Sequence, residues 1–101
     1  MNAKAPTTVP VRRTEFVARR DGEQVRLRDP RQSHAHVLNA TAFALWELCD
    51  GTTTPGEMVE AICTLFGVAR SDAERDIELG LADLTRAGLV EWRRRHVESS
   101  A

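Results

Sequence analysis

The chain has 101 residues, enough for one compact domain with one modest core. Two cysteines, Cys49 and Cys63, sit inside apolar helical patterns with neither a C-x-x-C motif nor a disulfide framework, which reads as two reduced thiols. No apolar run approaches the ~18 residues of a membrane span, and the opening MNAKAPTTVP lacks the hydrophobic stretch of a signal peptide, so a soluble cytoplasmic protein is expected. The formal net charge of −1 conceals a division along the chain. Up to Leu38 there are eight Lys or Arg against four acids, and from Asn39 to Trp92 ten Asp or Glu against three arginines.

Residues 1–12 mix Ala, Pro, Thr and Asn without an apolar period and are expected to form a flexible lead-in. Glu15 to Arg20 and Glu23 to Arg28 then alternate on either side of Asp21-Gly22, a strong hairpin signal. Val25 and Leu27 are expected to face the core, with Arg26 and Arg28 toward water. A turn, Asp29 to Ser33, leads into a third strand at an edge through His34, Ala35, His36, Val37 and Leu38.

From Asn39 the apolar period lengthens to that of a helix, with Ala42, Phe43, Leu45, Trp46 and Cys49 on one broad side before Asp50-Gly51. Asn39 is the expected N-cap. Thr54-Pro55-Gly56-Glu57 is a capping box with proline at the first helical position, and it opens a second helix ending at Gly67. Ser71 to Glu74 reads as another such box. It opens a third helix with Ala73, Ile77, Leu81 and Leu84 at core spacing up to Gly88. Leu89 to Trp92 reads as a short terminal strand, and Arg93 to Ala101 as a basic, polar tail. The fold class expected is α+β: a three-stranded antiparallel sheet packed on a three-helix, winged helix-turn-helix-like bundle, with the domain spanning 13–92.

Motifs for chemistry are sparse. His34 and His36 alternate on one strand face, yet no third ligand lies near and His96 belongs to the tail, so a half-exposed strand face outweighs a metal site. No Gly-rich phosphate loop occurs, and nothing resembling a nucleophile with its base stands out, so neither catalysis nor a cofactor is expected. Trp46 and Trp92 read as packing residues. A winged-helix DNA-binding regulator is the competing reading. Against it stands the third helix, where Asp72, Glu74, Asp76, Glu78 and Asp83 outnumber Arg75 and Arg86 and would repel phosphates.

Taken together, Val37-Leu38-Asn39-Ala40-Thr41-Ala42, Leu45 to Gly51 and Thr54 to Val59 resemble the PqqD-like family, and the likeness continues through Asp76-Ile77, Leu81, Leu84 and Gly88-Leu89-Val90. The resemblance implies a recognition element for ribosomally made, modified peptides. A leader peptide would add as a strand to the sheet edge and lie between the third strand and third helix. An enzyme, such as a radical SAM protein, a protease or a cyclase, would then act on the tethered core peptide. On that reading the binding residues are Ser33, His34, Ala35, His36, Val37 and Leu38 of the edge, facing Asp76, Gly80, Asp83 and Ala87 on one flank of the third helix. That flank favours basic residues in the peptide. Gly80 either leaves space for the peptide or marks tight packing of that helix on the sheet, and Leu79 points away from the core. Self-association into a homodimer through the same open edge is a third reading.

Overall fold

A computed structural model describes residues 8–95 of the chain. The elements run β1 (Thr8–Arg12), β2 (Val17–Asp21), β3 (Gln24–Arg28), β4 (Ala35–Asn39), α1 (Ala40–Leu48), α2 (Pro55–Phe66), α3 (Arg70–Arg86) and β5 (Val90–Arg94). The strands form two sheets. One is the antiparallel meander β2-β3-β4, and the other a two-stranded ribbon of β1 and β5.

The meander follows the alternation of its sequence. Val25 and Leu27 are buried while Gln24, Arg26 and Arg28 are exposed, because successive side chains point to opposite faces. Asp21 is registered with Gln24, so the hairpin loop is Gly22-Glu23 with Gly22 at φ 65, the glycine-first arrangement of tight hairpins. The next turn is held by Asp29. Its carbonyl accepts from the Gln32 N–H at 2.9 Å and its Oδ1 from the Arg31 N–H at 2.9 Å. Asp29 is nearly fully buried, and the Arg31 backbone N–H, aided by the Arg31 side chain, outweighs desolvation to hold its carboxyl below the usual range.

The helices begin where local chemistry directs. Asn39 caps α1 by accepting the Ala42 N–H at 2.8 Å. At α2 the capping box is reciprocal: the Glu57 N–H donates to Thr54 Oγ1 at 3.1 Å and the Thr54 N–H to Glu57 Oε1 at 2.9 Å. The expected box at Ser71 does not form. Helix α3 starts at Arg70 with Ala69 as an N-cap lacking a side-chain bond, and Arg70 instead pairs with Glu60 of α2 and with Glu74 one turn on. Starting earlier places the buried Ala73 within the first turn, its N–H bonded to the Ala69 carbonyl at 3.0 Å.

The core joins Val25 and Leu27 of β3 to Leu45, Trp46, Met58, Ile77, Leu81 and Leu84 of the helices, and to Leu89 and Val90. Trp46 is the core residue expected, its Nε1–H donating to the Leu89 carbonyl at 3.0 Å. Both cysteines are free thiols. Burial pushes Cys49 up to about 12, and its Sγ lies 3.3 Å from the Leu45 carbonyl, so it is an inert packing residue. Cys63 is half-buried.

The chain ends depart from expectation. The flexible segment expected over 1–12 contains β1, which is registered from Thr8↔Arg94 to Arg12↔Val90. Its Val9 and Pro10 are fully buried. Burial of these two apolar side chains and tertiary bonds explain the order. The Arg12 N–H donates to the Cys49 carbonyl at 2.7 Å, and the Gly51 N–H to the Pro10 carbonyl at 3.2 Å. Proline is tolerated because its carbonyl and nitrogen point away from β5, toward the Cys49–Gly51 segment, so no bond of the β1-β5 ladder is lost. Strand β1 thus precedes residue 13, and Arg93 and Arg94 complete β5. His96 and the rest of the tail lie outside the described residues. Trp92 is not a core residue but is 39% exposed, with its Nε1–H donating to Thr85 Oγ1 at 2.9 Å.

Candidate functional site

Strand β4 pairs with β3 on one side, and among the described residues no strand pairs with the other. An edge strand directs about half of its N–H and C=O groups away from its sheet, so β4 offers donors and acceptors to an extended chain. Ser33 and His34 belong to the turn before the strand, and the edge itself is Ala35–Asn39. His36, Leu38 and Ala35 are half-buried, while Val37 is exposed.

The two histidines share a face, as alternation requires. Their ring centroids are 5.8 Å apart, and the His36 ring meets Phe16 edge-on at 5.9 Å. His36 is thus one member of an aromatic contact beneath the sheet. No group of three or more potential metal ligands occurs among the described residues.

Asp76, Asp83 and Ala87 lie exposed on one flank of α3, with Ala87 forming its C-cap and Asp83 ion-paired to Arg86 at 3.0 Å. Gly80 belongs to the same flank but serves packing. A Cβ built there would lie 2.5 Å from Leu45 Cδ2 of α1, so the missing side chain is what lets α1 and α3 approach. The packing is against a helix and not, as expected, against the sheet. Leu79 is 56% exposed beside Asp76 and Asp83 on the helical wheel.

A loop-free connection joins β4 to the helices. Asn39 ends β4 and caps α1, so the strand passes into the helix without a loop, and α1 reaches α3 through Leu45 and Gly80. The separation of the edge from the α3 flank is therefore set by one helix. Sequence reasoning missed this spacing role of α1, for which the glycine in α3 was the available signal.

Two concave regions flank these elements. An open hollow of about 970 Å³ lies on the outward side of the meander, lined by arginines together with Ser33 and Ala35. A more apolar groove of about 710 Å³ runs along the far side of α3 from Asp76, floored by Val59, Ile77 and Leu81 and bordered by Trp92.

An exposed strand edge beside a helix is an arrangement that can receive an extended chain. The family model for coenzyme PQQ synthesis protein D (PqqD) matches residues 24–90, and the chain belongs to this family. Among solved structures it is similar to TbiB1 in complex with the TbiA(beta) leader peptide, at 27% identity and a TM-score of 0.65, covering 80% of this chain and 94% of that one. No curated protein matches it.

Proposed function

We propose that this protein captures the leader region of a ribosomally made precursor peptide by strand addition at β4 and presents it to a modifying or processing enzyme, without catalysing a reaction itself. The single observation that carries the reading is the unpaired β4 edge in a chain of the PqqD family, whose solved relative TbiB1 holds a leader peptide. The receiving residues are Ala35 to Leu38 with the adjoining Ser33 and His34, and the second wall is the α3 flank of Asp76, Asp83 and Ala87. Gly80 contributes by setting the distance between these walls. The partner enzyme is a radical SAM protein, a protease or a cyclase, and the complex works in the cytoplasm, where ribosomal precursors are made.

Backbone pairing gives affinity while carrying little information about side chains, so selectivity falls to the walls. A Kd of micromolar or tighter is expected, about −8 kcal/mol at the micromolar mark, after the peptide's ordering entropy is offset. The test is titration of the isotopically labelled chain with the leader of the precursor peptide encoded beside its gene. Amide shifts concentrated in Ala35 to Asn39 and Asp76 to Ala87 are expected. A saturable interaction that leaves those amides unmoved, or no interaction, refutes the proposal.

A further inference from the structure

The outward face of the meander concentrates arginine where sheet stability gives no reason for it. Directly opposed residues share a face, so the register places Val17, Arg19 and Asp21 of β2 beside Arg28, Arg26 and Gln24 of β3, and these beside Ala35, Val37 and Asn39 of β4. Arg19 stands directly across from Arg26, a like-charge pairing that destabilises a sheet. Asp21 reaches Arg26 at 3.6 Å. Among the described residues no carboxylate lies within ion-pair distance of Arg19, Arg20 or Arg28.

These arginines border the open hollow, whose other side includes Ser33 and Ala35. The hollow therefore spans the outward face from β2, the other edge of the meander, to Ala35 at the β4 edge. A strand added beside β4 sends every second side chain onto this outward face. Arg28 is registered with Ala35, a small residue that leaves the path across β4 open, and Arg26 with Val37. The added strand would run two strand spacings from β3, about 9.5 Å, which an extended arginine and an extended glutamate span together.

We infer that the outward arginines, Arg28 above all and Arg26 beside it, select acidic residues at alternate positions of the bound peptide. This rests on the strand-addition reading and adds a substrate class to it. The peptide then has two unlike sides, carboxylates toward the arginines and residues suited to Asp76 and Asp83 toward α3. The occupant is the peptide itself because the hollow reaches the edge that receives it.

A random ten-residue peptide library screened against the full-length chain provides the test, with an enriched peptide re-measured on the wild type, Arg28→Gln and Arg26→Gln/Arg28→Gln. Enriched sequences are expected to carry Asp or Glu two residues apart. Arg28→Gln is expected to weaken such a peptide about two- to fivefold and the double variant about tenfold, with the loss shrinking at high salt. The same peptide with its acids replaced by alanine should bind all three proteins alike. Enriched peptides without acidic alternation, or equal affinity for the wild type and both variants, overturn arginine selection while leaving strand addition intact. Failure to capture any peptide overturns both. Acidic peptides that bind without moving the β4 amides would assign the face to an acidic protein surface and overturn the inference as stated.

Discussion

The two sheets of this protein use the same backbone chemistry to opposite ends. In the β1-β5 ribbon, β1 is tied on its second side to the segment after α1, through the Arg12 N–H to Cys49 and the Gly51 N–H to Pro10. Arg12 adds a bond from its guanidinium to the Glu47 carbonyl at 2.7 Å and lies 5.8 Å over the Trp46 ring. In the meander, β4 is paired on one side only. Strand β1 thus has partners on both of its sides and closes the fold, whereas β4 keeps one side in reserve. A free edge is thus a property of position in the fold, and sequence composition alone does not mark it.

The sharpest way to break that contrast is to make the same substitution in each sheet. Val9 is fully buried in β1, and Val17 is 58% exposed in β2. Val9→Ala should cost about 1.5–3 kcal/mol in urea unfolding, and Val17→Ala should stay within about 0.5 kcal/mol. Comparable losses would mean that the ribbon is not part of the core.

A somewhat smaller effect is expected where α1 spaces the edge from α3. Gly80→Ala improves helix propensity by about 1 kcal/mol, but its Cβ must displace Leu45, and overpacking costs about 1–3 kcal/mol. A net loss of about 1 kcal/mol is expected. In the Leu45→Ala background the same change should become neutral or favourable, and a double-mutant cycle showing additivity would exclude the contact.

The turn entering β4 is expected to reveal itself through pH. The folded Asp29 carboxyl is held below its ordinary value of 3.8, so its stabilisation is complete above that pH and is lost as pH falls through the folded value. The urea midpoint of Asp29→Asn should lie below that of the wild type at neutral pH, and the gap should close under acid. A gap independent of pH would assign the effect to packing.

Hydrogen exchange supplies the finest comparison. The amides of Arg12 and Gly51 should exchange slowly, and the outward-directed amides of β4 quickly until peptide is added. Equal protection of both sheets in the free protein would remove the basis for strand addition.

Much of this architecture was legible in the sequence because its signals are local. The Asp-Gly hairpin, the Val25 and Leu27 alternation and the Thr54 capping box each depend on neighbours a few residues away. Strand β1 escaped notice because Val9-Pro10-Val11 resembles a loop until its partner at the other end of the chain is known. The start of α3 was misplaced for a related reason: Ser71 carries a capping signal, but Arg70 finds carboxylates on both α2 and α3. At the site, periodicity gives the strand and the acidic side of α3, but the position of that strand at an edge comes from the sheet order. The contact of Gly80 with Leu45 could not be read, because it depends on how two helices cross. Arg26 and Arg28 face water as the alternation predicts, but the concavity they share with Arg19 exists only once the strands are registered.

The ribbon also brings two distant parts of the chain together. Thr8 and Arg94 are cross-strand neighbours, so the two ends of the ribbon lie side by side, about 5 Å apart. A body with adjoining ends can be spliced into a loop of a larger enzyme, or hung from it by either end, with little distortion of the host. Because the ribbon and β4 belong to different sheets, a host joined there would hold whatever binds β4 at a raised effective concentration without any new contact.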